Sequence, residues 1–142
     1  LFMINMQGIV AQQETQKLLT PEDVEEVTGM KGLQLLPQGE GEEALGDLNF
    51  AKEDETPVLM VNVQDKTVYD AWKSQEGIFH SEVEGLGEEA FAGPEAGGSR
   101  YILVFCKGEH AISLSSYFET EEKPFFSLDE LKELAGIIDS RL

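Results

Sequence analysis

The stretch Tyr101-Ile102-Leu103-Val104-Phe105-Cys106 has strand-forming, largely apolar side chains at both parities. In an extended strand alternate side chains point to opposite faces, so Tyr101, Leu103 and Phe105 fall on one face and Ile102, Val104 and Cys106 on the other. The segment from Val58 to Val63 behaves similarly, with Leu59, Val61 and Val63 on one face and Val58 and Met60 on the other. Strands that are apolar on two sides need cover on two sides. That cover comes either from helices of the same chain or from something else: a ligand, another protein, or a second copy.

The helices available can be read from their caps. In "LLTPEDVEEVTG" Thr20 is the N-cap, Pro21 suits the first helical position, Asp23 completes a capping box and Gly29 stops the helix, which predicts a helix over about residues 20–28. Leu19 and Val24 form the matching hydrophobic staple. Three strand-like segments follow, "LQLLPQ", "DLNFAKE" and "PVLMVNVQ", separated by glycine, acid and proline clusters. "TVYDAWKSQEG" then offers Thr67 as a second cap, with Val68, Ala71 and Trp72 on one helical face. After it come "FHSEVEGLGEEAFAG", "RYILVFCKG" and "HAISLSSYF", the last two joined by a hairpin turn with Gly108 at the position that tolerates a positive φ. A helix followed by three strands thus occurs twice.

The chain closes with "FSLDELKELAGIIDSRL". Ser127 and Glu130 make a capping box, Phe126 staples to Leu131, and Leu128, Leu131, Ala135, Ile138 and Leu142 form one apolar stripe facing a sheet. Within "HSEVEGLGEEAFAG", Gly85 and Gly87 interrupt an alternating strand, which marks a sharp change of direction. A phosphate cradle is a poor alternative there, because no helix begins and Glu88 and Glu89 would repel the anion.

With 28 acidic and 10 basic residues, the formal charge of −18 repels nucleic acid and anionic lipid surfaces alike. Cys106 is the single cysteine, so neither an internal disulfide nor a cysteine metal cluster can form, and its strand context predicts a buried, inert thiol. His80 and His110 could join Glu82 and Glu84 around a metal, yet the spacing does not demand it, and no metal or cofactor is expected. Ser113, Ser115 and Ser116 read as the solvent side of a strand. The start of the chain, "LFMINMQGIVAQQETQK", resembles the tail of a signal peptide, so residues 1–17 are read as a leader remnant or extension and 18–142 as one domain.

The segments "LLTPEDVEEVTG", "VEGLGEEAF", "YILVFCKGEHAISLS" and "LKELAGIIDSRL", in that order, resemble bacterial secreted lipoproteins and sensor-like extracytoplasmic domains. The resemblance implies an α+β domain with a mostly antiparallel sheet and helices packed on it, export, and binding of a protein partner or small ligand in place of catalysis. It brings no catalytic residues, and the lipid-accepting cysteine of such lipoproteins is missing here. From the residues themselves, three short helices must cover two sides of six strands. The second sheet face is therefore read as a recognition surface, with Met60, Ile102 and Val104 as its binding residues. The alternatives are a small hydrolase using carboxylates or a His/Glu-bound metal, and a structural subunit that forms a homodimer through its sheet.

Overall fold

The computed structural model describes residues 17–36, 47–73, 81–94 and 100–142. The expected leader at 1–17 and His80 therefore lie outside the described residues, apart from Lys17. Helix α1 spans Pro21–Thr28 and is followed by strands β1 (Gln34–Leu35), β2 (Leu48–Ala51) and β3 (Pro57–Asp65). Helix α2 (Lys66–Lys73) leads to β4 (Ser81–Glu82), β5 (Glu89–Pro94), β6 (Arg100–Lys107) and β7 (His110–Tyr117), and α3 (Leu128–Arg141) ends the chain. The seven strands among the described residues form one antiparallel sheet in the order β1-β2-β3-β7-β6-β5-β4. The α+β class with helices on an antiparallel sheet is thus what the chain adopts.

Two meanders, β1-β2-β3 and β4-β5-β6-β7, meet where their last strands pair. The second has one strand more than the sequence pattern suggests, because the bend at Gly85 and Gly87 divides one segment into β4 and β5. A two-fold axis relating the meanders through the β3/β7 pair would stand perpendicular to the sheet and leave α1 and α2 on one face. They lie on opposite faces: Val24 of α1 joins the main core, whereas Tyr69 of α2 joins a separate cluster. The repetition is one of element order.

The main core follows from strand register. Leu48, Val61, Leu114, Leu103 and Ala92 are successive partners across five strands, and Val63, Ile112, Phe105 and Ala90 form the next row. Helix α3 lays Leu131, Leu134, Ala135 and Ile138 on this face, all fully buried. The apolar stripe differs from its sequence reading in two ways. Leu134 belongs to it, while Leu128 and Leu142, at the two ends of the helix, are exposed. Ser116 also differs, since it is fully buried on the core side. Its Oγ accepts from Phe126 N at 3.1 Å and donates to Tyr117 O at 3.0 Å, which fixes the approach to α3.

Both predicted capping boxes are present, at Thr20/Asp23 and Ser127/Glu130. For α2 the residue before the helix takes the capping role: Asp65 Oδ1 accepts from Thr67 N and Thr67 Oγ1, both at 3.0 Å. The helix starts directly from the end of β3, and this phase turns Tyr69 inward while Ala71 is exposed. The buried face is therefore built on Tyr69 and Trp72 instead of Val68, Ala71 and Trp72.

Arg141 clasps α3 to the start of α1. Its guanidinium donates to Asp23 Oδ2 at 2.6 Å, to Asp23 Oδ1 at 3.2 Å and to Leu18 O at 3.1 Å. The Arg141 hydrogen bond leads the causes that hold the Asp23 carboxyl below its usual range. A depressed carboxyl pKa adds stability above the unfolded-state value and loses it as pH falls through the folded value. The stability gap between the parent protein and Asp23→Asn is therefore expected to be full at neutral pH and to shrink below about pH 4. Denaturant unfolding of both across pH 2 to 7 checks this; a gap independent of pH contradicts it.

Candidate functional site

The three residues singled out in the sequence share the second face of the sheet. Asn49, Met60, Ser115, Ile102 and Gly93 are successive partners in one row, and Asn62, Ser113, Val104 and Phe91 form the next. Helix α2 covers part of this face, where Tyr69 packs with Val104, Cys106 and Ala111, flanked by Trp72, Phe91 and Ile102. Met60 and Val104 are only 5% and 4% exposed and Ile102 is half-buried, so together they do not present an open apolar patch. Arg100 directs Nη1 to the Met60 sulfur at 3.7 Å. Ser113 and Ser115 are buried on this face, not on a solvent side, because bulkier neighbours in the same rows flank them. With Val104 under Tyr69, Val104→Asn places an amide in an apolar contact, at an expected cost of about 1–3 kcal/mol. An unchanged unfolding midpoint would contradict that packing.

His110 is exposed at the start of β7, and among the described residues no three His, Cys, Asp or Glu side chains could hold a metal together. Burial raises the Cys106 pKa above its ordinary value, and the Lys66–Glu88 ion pair at 2.9 Å lies beside it, with Glu88 Oε2 4.0 Å from Sγ. Burial likewise holds the Tyr69 phenol protonated well above its usual range.

A cleft of about 490 Å³ lies at the other end of the β1/β2 ladder, lined by Met30, Lys31, Gly32, Leu33, Lys52, Glu53 and Asp54. Register explains its position. Gln34 pairs with Ala51, so the turn before β1 and the hairpin after β2 leave the sheet side by side. The first wall is shaped by Gly29, left-handed at φ 79°, which ends α1, and by Gly32 at φ 72°. Glu25 Oε2 accepts from Leu33 N at 2.9 Å and holds that turn against the helix.

The second wall is a tight hairpin in which Lys52 N donates to Thr56 O and Glu55 N to Lys52 O, both at 2.9 Å. Asp54 Oδ1 accepts from Thr56 N at 3.1 Å, and hydrogen bonding to Thr56 lowers the Asp54 pKa. Glu55 takes the left-handed position at φ 69°, where glycine is the usual occupant. Gln34 Nε2 donates to Lys52 O at 2.9 Å and ties the two walls together.

The cleft holds charges of both signs; Lys52 helps, after the Thr56 hydrogen bonds, to lower the Asp54 pKa, but no ion pair closes between them. Lys66, Lys107, Lys123 and Arg141 are each ion-paired, whereas among the described residues Lys31 and Lys52, like the exposed Lys17 and Lys132, are not. Lys52 Nζ stands 4.9 Å from the centre of the Phe125 ring, a cation–π distance. The Glu53 carboxyl lies against Gly32, with Oε1 2.7 Å from where a Cβ would stand, so a side chain at position 32 would displace it. None of these residues was selected from the sequence. The available signal was two lysines, in "MKGL" and "AKED", placed in turns on either side of a predicted strand pair within an acidic chain. Searches of family models, curated proteins and solved structures give no match to this chain.

Proposed function

We propose that this domain is an exported, non-catalytic binding module that takes a small ligand in the cleft between the α1–β1 turn and the β2–β3 hairpin. The observation that carries the reading is the cleft itself: an open surface cleft of about 490 Å³ with both walls pinned by hydrogen bonds, holding two lysines that have no ion pair among the described residues in a chain of charge −18. Its size falls in the range of small-molecule sites, roughly 300–1,000 Å³. Walls already held in place reduce the ordering cost of binding. Export is supported by the sequence resemblance to secreted lipoproteins and sensor-like domains. Such a module would present the cleft on a rigid sheet, and its output would be occupancy.

A thermal-shift screen with small polar metabolites tests the reading. A ligand at about 100 times its dissociation constant adds roughly 2.7 kcal/mol of stability to the state that binds it. For a domain of this size that amounts to several degrees in Tm. Hits are expected to stabilise the parent protein and to lose most of that shift in a Lys31→Ala/Lys52→Ala double variant. Hits that stabilise both proteins equally would place binding elsewhere and overturn the assignment.

A further inference from the structure

We infer that the ligand class of this cleft is a small zwitterion with an aliphatic side chain, such as a free α-amino acid or a dipeptide; the inference rests on the proposal that the cleft is a binding site. Four charged side chains line the space, Lys31 and Lys52 of one sign and Glu53 and Asp54 of the other; Lys52 acts on Asp54 through space, and among the described residues no ion pair joins the two sets, which leaves Lys31 and Glu53 the most available. A ligand carrying a carboxylate and an ammonium meets both signs at once, whereas a ligand with one charge leaves the opposite set facing it.

The long-range field selects in the same direction. The net charge of −18 disfavours the approach of a simple anion, while a zwitterion, neutral overall, carries its carboxylate to the lysines without that penalty. A simple cation is drawn to the protein but then meets Lys31 and Lys52. Within the cleft the ammonium falls to Glu53, because one oxygen of Asp54 is already engaged by Thr56 N. Met30 and Leu33 supply the apolar wall, and methionine adapts to aliphatic chains of differing shape.

Calorimetric titration of the full chain with L-leucine, N-acetyl-L-leucine and L-leucinamide tests the inference. Leucine is expected to bind saturably, and each single-charge analogue at least tenfold more weakly. Glu53→Gln should remove the preference for leucine over N-acetyl-leucine, and Lys31→Met/Lys52→Met the preference over leucinamide. These positions line a surface cleft, and Lys31, Lys52 and Glu53 are exposed, so the variants are expected to fold; their unfolding midpoints check it. Analogues that bind the parent as tightly as leucine would overturn the zwitterion class while leaving the cleft a binding site. The class also fails if leucine gives no binding and the thermal screen finds ligands of another kind whose effect needs Lys31 and Lys52. If neither experiment finds a ligand that depends on the lysines, both proposals fall.

Discussion

Ile138→Asp is expected to unfold the domain or leave it marginal. Ile138 is fully buried between α3 and the main sheet face, in the stripe that also contains Leu131, Leu134 and Ala135. The substitution removes a branched apolar side chain and sets an unpaired carboxylate in its place. The cost is several kcal/mol, a large part of the roughly 5–15 kcal/mol that stabilises an ordinary domain. Denaturant unfolding reads the effect directly. A midpoint within error of the parent would show that α3 is peripheral to the core.

Gly87→Ala is the second change with a large expected effect, and Gly85→Ala is its control. Both glycines sit in the turn between β4 and β5 with positive φ, 88° at Gly85 and 50° at Gly87. Around Gly85 there is open space, so alanine meets only the backbone preference, worth about 1 kcal/mol. At Gly87 a Cβ would overlap the carbonyl oxygen of Cys106, a backbone atom that cannot step aside alone. That carbonyl accepts from Glu88 N at 2.8 Å, and Gly87 N donates to Asp139 Oδ2 at 3.2 Å. Asp139 in turn pairs with Lys107 at 2.9 Å, so the turn, β6 and α3 move together or not at all. Gly87→Ala is expected to cost at least about 2 kcal/mol more than Gly85→Ala. Equal losses would mean that the close approach of the turn to β6 is not maintained.

How far the sequence disclosed this structure depends on the range of the interactions that decide each feature. Both capping boxes are encoded within four consecutive residues, and α1 and α3 begin where Thr20 and Ser127 indicate. The hairpin at Gly108, φ 59°, and the bend at Gly85 and Gly87 are local in the same way. The two-sided apolar strands correctly demand cover on both faces, and α2 supplies part of the second.

What the sequence hid is set by the way elements leave one another. Tyr69 turns inward because α2 starts from the last residue of β3, and a helical wheel drawn in isolation lacks that phase. Leu128 and Leu142 fit the stripe of α3 by spacing, but they stand at its ends and remain exposed. Alternation alone puts Ser113 and Ser115 on a solvent side, while their burial on the second face comes from neighbours in adjoining strands. The cleft was invisible for the same reason. Lys31 and Lys52 are far apart in sequence, and only the pairing of β1 with β2 brings their turns together.

The most direct measurement of where this domain binds is the change in its amide nitrogen–proton NMR spectrum as a stabilising ligand from the thermal screen is titrated in. The cleft account predicts saturable shifts at Lys31, Gly32, Leu33, Lys52, Glu53 and Asp54, with the amides of Met60, Ile102, Val104 and Ser115 on the second face unmoved. Saturable shifts centred on Met60, Ile102 and Val104, with the two turns silent, would contradict it and return recognition to the sheet.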